Sequence, residues 1–433
     1  MVQDREQWSS TLGFILASIG SAVGIGNIWR FPYIVGVNGG GAFLVPYVIS
    51  VLLFGVPLMM LELAIGRSTG KSVVSAFQSI HRRFTFAGLI IVAVVSLILG
   101  YYLVITGWVL AYALSFIIGQ PMAFDMFTDS YLPLIFFLLS GLTVFVTVRS
   151  GVRKGIERAS RYLIPVLIAI LLFLVAFSLT QPGAVEGIGF YLAPDTSNLT
   201  DPGVWIAAFG QAFFSLSVGM GILLTFGSYL RKESLFRSGI IIAAADTLIA
   251  ILAGLIIFPL VFTSGLDPAA GVNLAFVTLP SAFIRIQFGM MLGALFFLML
   301  FAAALTSAVS MLEVPVAALM DSYDCPRRRA TLLVVAAIML LGLPSALSYT
   351  ALKFSVFGMP FLDLADYVFG TIGLIAAALI VAIVGGWFMN RIRICAEIGG
   401  CGWRQRVYMA LIRYGVPAVL LVTLAGSLLR GAG

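Results

Sequence analysis

The chain returns again and again to stretches of about twenty apolar residues, and that feature limits it to very few folds. These runs fall near 12–37, 42–66, 86–118, 131–149, 157–180, 203–230, 238–263, 287–320, 330–347, 361–389 and 408–429. A helix of about 20 apolar residues matches the roughly 30 Å hydrocarbon core of a bilayer. In lipid a backbone must satisfy its own polar groups, which favours helices over irregular chain. The sequence therefore predicts an all-α membrane protein of about 11 transmembrane helices, forming a single domain over residues 1–433. Composition agrees: 61% of residues are hydrophobic and 10% charged, against roughly half and a quarter in soluble proteins. No stretch remains for a soluble domain.

Charge placement orients the spans. With the amino terminus inside, nearly all of the 25 Lys and Arg fall in loops on one side, and only Arg285, Lys353 and Arg430 fall on the other. Arg30 lies within the first run. Positive residues near span ends mark the cytoplasmic face, so the amino terminus is expected in the cytoplasm, the carboxyl terminus outside, and the protein in the cell (inner) membrane. The basic pI of about 9.4 then reflects topology and anionic lipid rather than nucleic acid. No charged segment with a short apolar core and cleavage site precedes the first span, so no removable signal peptide is expected. Cys325, Cys395 and Cys401 all fall in predicted cytoplasmic segments, where disulfides are disfavoured. The single histidine, His81, sits among loop arginines, which excludes a histidine proton relay inside the membrane.

Two runs carry glycines where a helix would be weakest. Gly20, Gly24 and Gly26 cluster in the first; Gly219 and Gly221, preceded by Ser215 and Ser217, interrupt the sixth. Val23-Gly24-Ile25-Gly26 is echoed by Val218-Gly219-Met220-Gly221. They stand at corresponding points of two five-span halves, and because five is odd the second half has the opposite orientation. Glycines in one span often serve only helix packing. Matched clusters at corresponding points of two halves point instead to broken helices around a central site. An unwound turn offers amides to a carboxylate and carbonyls to a hard cation such as sodium.

The residues around these breaks resemble the neurotransmitter:sodium symporter family. The resemblance is carried by Arg5, Trp8 and the run Gly20 to Tyr33 (GSAVGIGNIWRFPY), by Asn38 to Phe43 (NGGGAF), and by Gly155-Ile156-Glu157-Arg158. It continues in Asp201 to Trp205 (DPGVW), Gln211, Leu305-Thr306-Ser307 and Gly370-Thr371-Ile372-Gly373. It implies the LeuT-type fold, a five-plus-five inverted repeat with helices 1 and 6 broken. The first repeat would occupy 1–180, the second 203–389, and the eleventh helix and tail 390–433.

Two Na+ sites follow from the resemblance. Sodium 1 would take the Ala22 carbonyl, the Asn27 side chain, Ser215, Asp246 and the substrate's own carboxylate. Sodium 2 would take carbonyls of Gly20, Val23 and Ala303 with the hydroxyls of Thr306 and Ser307. Asp246 departs from the family's usual Asn. Some bacterial members carry a glutamate at the position of Ala250, one turn on, so Asp246 is expected to supply that charge and to make transport independent of chloride.

Family members that carry monoamines place an Asp where this sequence has Gly24, so the substrate is expected to bring its carboxylate with it. The carboxylate would meet the amides of Ile25 and Gly26 and the hydroxyl of Tyr102. The ammonium group would meet carbonyls of Ala22, Phe214 and Ser217. Ser21, Ile98, Phe214, Ser217, Met220, Ser307 and Met311 would line an uncharged side-chain pocket. Methionine at both 220 and 311 gives adaptable walls suited to aliphatic or aromatic side chains.

Gates are implied on both sides. The outer one would pair Arg30 with Asp366, with Gln211 nearby and Tyr102 and Phe214 as a thinner lid. The inner one would pair Arg5 with Asp321, supported by Trp8, Ser228, Tyr229 and Glu313. Gly155 and Pro165 have the spacing at which the family's fifth helix unwinds, and a fixed kink is the competing reading. Glu62, buried in the second span, is expected to join the broken segments rather than to act in transport.

The expected function is a sodium-coupled secondary active symporter importing a hydrophobic L-amino acid by alternating access, with sodium, the amino acid and the bilayer as partners. A non-transporting sensor of the same fold and a sodium-conducting channel are the alternatives. No His, Cys or paired-acid constellation within the spans suggests an enzyme.

Overall fold

The computed structural model describes residues 6–193, 199–231, 234–266, 274–399 and 402–430. Among these residues, eight helices are long and apolar enough to cross a membrane, or nine if a bent pair counts as one span. Two of the expected runs fall short of that criterion. Leu132–Val148 is an apolar helix of 17 residues, and the sixth run is divided between Pro202–Ser215 and Ile222–Gly227. Midway along several helices, apolar side chains such as Leu138, Leu172, Leu340 and Val422 face outward, as lipid contact requires. One feature lies outside an all-α description: Ser355–Val356 pairs with Met359–Pro360 in a short antiparallel hairpin.

The first run breaks where its glycines stand. Helix Thr11–Ala22 is capped by Ser10, whose hydroxyl accepts the Gly13 amide at 3.0 Å. Val23 is extended, with φ −73° and ψ 106°, and the chain resumes helix at Gly26–Arg30, a π-helical turn leading into Phe31–Val37. The two parts meet at 51°. In the sixth run, Gly219 and Gly221 hold positive φ angles of 89° and 72°, and Ser217 joins them at 52°. Glycine takes this left-handed backbone without the Cβ penalty.

The first segment of the broken first run lies against three continuous helices. Helix Gly289–Tyr323 packs along Thr85–Ile117 and also meets Thr11–Ala22, which contacts Arg158–Ser178 and Leu235–Thr263 as well. The fifth run opens with a π-helical turn, Val152–Glu157, and continues unbroken as Arg158–Ser178 through Pro165. Of the two readings for Gly155 and Pro165, this conformation shows a continuous helix and no unwinding. Cys325 has no disulfide partner among the described residues; Cys401 and Arg5 lie outside them.

Candidate functional site

The break in the first run is closed by its own side chains and by neighbours pressed against its glycines. The Gly24 amide donates to Asn27 Oδ1 at 3.1 Å, and the Ile25 amide donates to the Tyr102 hydroxyl at 3.3 Å. A Cβ on Gly24 would stand 2.7 Å from Ser307 Oγ and 2.9 Å from the Tyr102 hydroxyl; one on Gly26 would stand 2.7 Å from the Phe214 ring. Neither position has room for a side chain. The Gly26 carbonyl accepts from Gln211 Nε2 at 3.2 Å.

Two oxygen clusters flank this turn. In the first, Ser307 Oγ lies 3.2 Å from the carbonyl oxygens of both Gly20 and Val23 and 3.1 Å from that of Ser21. Thr306 Oγ1 lies 3.1 Å from the Ala303 carbonyl, and its Cβ is 3.0 Å from where a Gly20 Cβ would stand. Ser307 thus joins the Gly20 and Val23 carbonyls, and Thr306, with the Ala303 carbonyl at its hydroxyl, stands against Gly20. The five groups offer neutral oxygens, a donor set suited to a hard cation.

The second cluster carries a charge. Asp246 is 0% exposed; its carboxylate accepts from Asn27 Nδ2 at 2.6 Å and from Ser215 Oγ at 2.7 Å. Asn27 Nδ2 also lies 3.0 Å from Ser215 Oγ. Tyr47, which sequence reasoning missed, donates to Ser215 Oγ at 3.2 Å. An aromatic in an apolar run gives no sign of a site. Ala22 ends the helix immediately before this turn, and Ala250 is buried nearby on the Asp246 helix. Three of the sodium 1 side chains thus form one connected group.

A cavity of about 450 Å³ reaches down to the break. Ile25, Gly26, Tyr102 and Phe214 form its inner end, with Trp29, Arg30, Gln211 and Asp366 among the walls. Ile98, Met220 and Met311 do not line this cavity and are buried, as are Ser21, Ser217 and Ser307. Ser217 Oγ donates to the Ser21 carbonyl at 2.9 Å, and the Ser217 amide to the Phe214 carbonyl at 3.1 Å.

The outer gate differs from expectation. Arg30 and Asp366 both face the cavity, but no ion pair within 4.0 Å joins them. The Arg30 guanidinium instead lies over the Phe214 ring, 4.2 Å from its centroid, a cation–π contact that competes for the same charge. The open cavity stands where the pair would close.

On the opposite face the expected residues interlock. Trp8 Nε1 donates to the Phe226 carbonyl at 3.1 Å, and the Tyr229 hydroxyl donates to Glu313 Oε1 at 2.6 Å. Ser228 Oγ donates to the Thr225 carbonyl at 2.5 Å. Asp321 accepts the Ser72 amide at 2.7 Å; its expected pairing with Arg5 lies outside the described residues. Arg327, counted in sequence only as a loop charge, grips both oxygens of Glu313 at 2.8 Å. It also lies 2.8 Å from Glu6. The signal was present: an acid this deep in an apolar helix requires a counter-charge. Glu62 spans to the second break, accepting the Gly219 amide at 2.6 Å.

The chain matches the sodium:neurotransmitter symporter family over residues 5–132 and 131–430. It is 34% identical over 453 residues to an "uncharacterized sodium-dependent transporter" of Haemophilus influenzae, covering 98% of this chain and 99% of that one. A similarly named protein of Methanocaldococcus jannaschii is 39% identical over 414 residues, 89% of this chain and 82% of that one. Among solved structures, that of MhsT in complex with L-phenylalanine superposes with a TM-score of 0.90 at 41% identity, covering 98% of this chain and all of that one.

Proposed function

The chain belongs to the sodium:neurotransmitter symporter family, and from that premise we propose that it imports a hydrophobic L-amino acid together with sodium and without chloride. As a member it is a multi-pass, sodium-dependent transporter of a small molecule with the LeuT-type fold, and not an enzyme. The finer reading rests chiefly on Gly24. With Ser307 and Tyr102 filling the space where its Cβ would stand, position 24 itself has no room for a carboxylate side chain. An amine substrate then has no acidic partner there, whereas an α-amino acid carries its own. The Tyr102 hydroxyl, already accepting the Ile25 amide, is placed to donate to that carboxylate, and the Asn27–Ser215–Asp246 group lies on the other side of the turn.

In this reading sodium 1 binds at Ala22, Asn27, Ser215 and Asp246 and shares the substrate carboxylate, which couples the two. Sodium 2 binds in the Gly20–Val23–Ala303–Thr306–Ser307 cluster. The buried Asp246 carboxylate supplies the negative charge that chloride would otherwise bring. Residues 1–180 and 203–389 form the two inverted halves, with 390–433 appended. In this reading the cavity opens to the outer side, and on closure Arg30 leaves Phe214 for Asp366. Met220 and Met311 wall the deeper pocket, and the phenylalanine held by MhsT supports an apolar substrate side chain. Seated in the inner membrane with its amino terminus in the cytoplasm, the protein would move solute inward.

Uptake into proteoliposomes of a panel of labelled amino acids, with sodium and chloride exchanged independently, tests this. Sodium-driven uptake of leucine- or phenylalanine-like substrates that persists in gluconate is expected. Uptake restricted to polar or carboxylate-free solutes, or lost without chloride, would overturn it.

A further inference from the structure

Two helices each carry a π-helical turn where they come together at one end of the bundle. The first turn is Val384–Phe388, at the close of the tenth run, and the second is Leu411–Gly415, early in the eleventh. They touch at Gly386, where an added Cβ would stand 2.9 Å from Ile412 Cγ2. Arg413 reaches across this contact and donates from Nε to the Gly386 carbonyl at 2.7 Å. Its guanidinium lies 5.7 Å from the centroid of the Trp387 ring, whose Nε1 donates to the Arg413 carbonyl at 3.1 Å. Tyr414 meets the same indole edge-on, with 5.3 Å between centroids. Single π-helical turns are frequent at functional sites.

The Arg413 guanidinium is thus fixed in place without an acid to fix it. Among the described residues, no hydrogen bond engages its two terminal nitrogens and no carboxylate lies within 4.0 Å of it. The surrounding sequence offers little else: residues 367–433 contain six arginines and one acid, Glu397, and Glu397 is paired with Arg67. Arg391 and Arg393, which follow the first π-helical turn closely, are exposed. So are the apolar neighbours in sequence, with Trp387 48%, Phe388 58% and Tyr414 62% exposed. A free anion makes no use of such a surface, whereas acyl chains would cover it. Trp and Tyr favour the level of the lipid headgroups, and the flat fork of arginine matches phosphate oxygens.

We propose that Arg413 binds the phosphodiester of an anionic phospholipid, with its two terminal nitrogens on phosphate oxygens and the acyl chains against Trp387, Phe388 and Tyr414. Basic sites between membrane helices take such headgroups, and here Arg391 and Arg393 add the positive field that favours an anionic lipid over a zwitterionic one. The bound lipid bridges the tenth and eleventh runs. This site is independent of the solute and the ions proposed above.

Native mass spectrometry of the full-length protein tests this, after delipidation and titration with phosphatidylglycerol or with phosphatidylcholine of the same acyl chains, in wild type, Arg413→Gln and Arg413→Lys. Wild type is expected to bind the first phosphatidylglycerol about tenfold more tightly than the first phosphatidylcholine. Arg413→Gln should remove that preference. Arg413→Lys keeps the charge but not the fork; it should retain only part of the preference, and it carries the test if Arg413→Gln does not fold. Excess inorganic phosphate should leave the lipid in place. Equal binding of the two lipids to wild type, or the full wild-type preference in either variant, would overturn the proposal. Displacement of phosphatidylglycerol by inorganic phosphate would overturn it as well, since the site would then take the free ion.

Discussion

Glu313 and Arg327 meet as a two-pronged ion pair, each guanidinium nitrogen 2.8 Å from its own carboxylate oxygen. The Glu313 side chain is fully buried and that of Arg327 is 11% exposed. Removing one partner of such a pair strands the other charge, at a cost of about 3–5 kcal/mol. Arg327→Ala should therefore lower the thermal midpoint in detergent markedly, whereas Arg327→Met combined with Glu313→Gln should recover most of it. A double variant no more stable than Arg327→Ala would show that the pair is not what links this face.

Gly24→Ala is expected to abolish high-affinity substrate binding while leaving the protein folded. The added methyl would lie 2.7 Å from Ser307 Oγ and 2.9 Å from the Tyr102 hydroxyl, so one or both must move from the site. A shift of either residue should weaken binding by at least about tenfold, equivalent to about 1.4 kcal/mol. Equilibrium binding of the preferred labelled amino acid to purified protein reads this directly, and wild-type affinity in Gly24→Ala would remove the main support for the substrate class.

Asp246→Asn separates charge from shape. The carboxylate accepts two short hydrogen bonds in full burial, and bonds to charged groups contribute about 1.5–3 kcal/mol each. The amide should therefore raise the half-saturating sodium concentration about tenfold or more, and chloride should now stimulate uptake. Sodium titrations of uptake in chloride and in gluconate distinguish the outcomes; identical curves for variant and wild type would overturn the assigned role.

What could be read from sequence was local and chemical. Gly24 and Gly26 announced the first break because glycine is anomalous mid-span, and the echo at Gly219 and Gly221 did the same for the sixth; positive φ angles at the latter pair supply the physical reason. Thr306 and Ser307 came from the resemblance rather than from pattern, since hydroxyls also occur on ordinary packing faces. What escaped depended on distance along the chain or on conformation. Tyr47 reaches Ser215 across 168 positions, and Glu6 reaches Val152 across 146. The absence of an Arg30–Asp366 pair belongs to the open cavity, and a pair that forms and breaks in a transport cycle has no single answer in sequence.

The five-oxygen cluster allows a test independent of the substrate. Ser307 Oγ holds the carbonyls of Gly20 and Val23 in register, while Thr306 Oγ1 bonds within its own helix at Ala302 and Ala303. Removing either hydroxyl deletes one ligand of the proposed sodium site, but only Ser307→Ala also frees the carbonyls across the break. Thr306→Val keeps the volume and should reduce apparent sodium affinity several-fold, whereas Ser307→Ala should reduce it further and also weaken the apposition of helix Thr11–Ala22 to helix Gly289–Tyr323. Loss of a hydrogen bond of this kind is worth about 1 kcal/mol, so the second defect should appear as a lower thermal midpoint even without sodium. Sodium-dependent stabilisation, measured as the shift in thermal midpoint between sodium and potassium, reads the ion directly. Equal shifts in wild type and both variants would place sodium elsewhere.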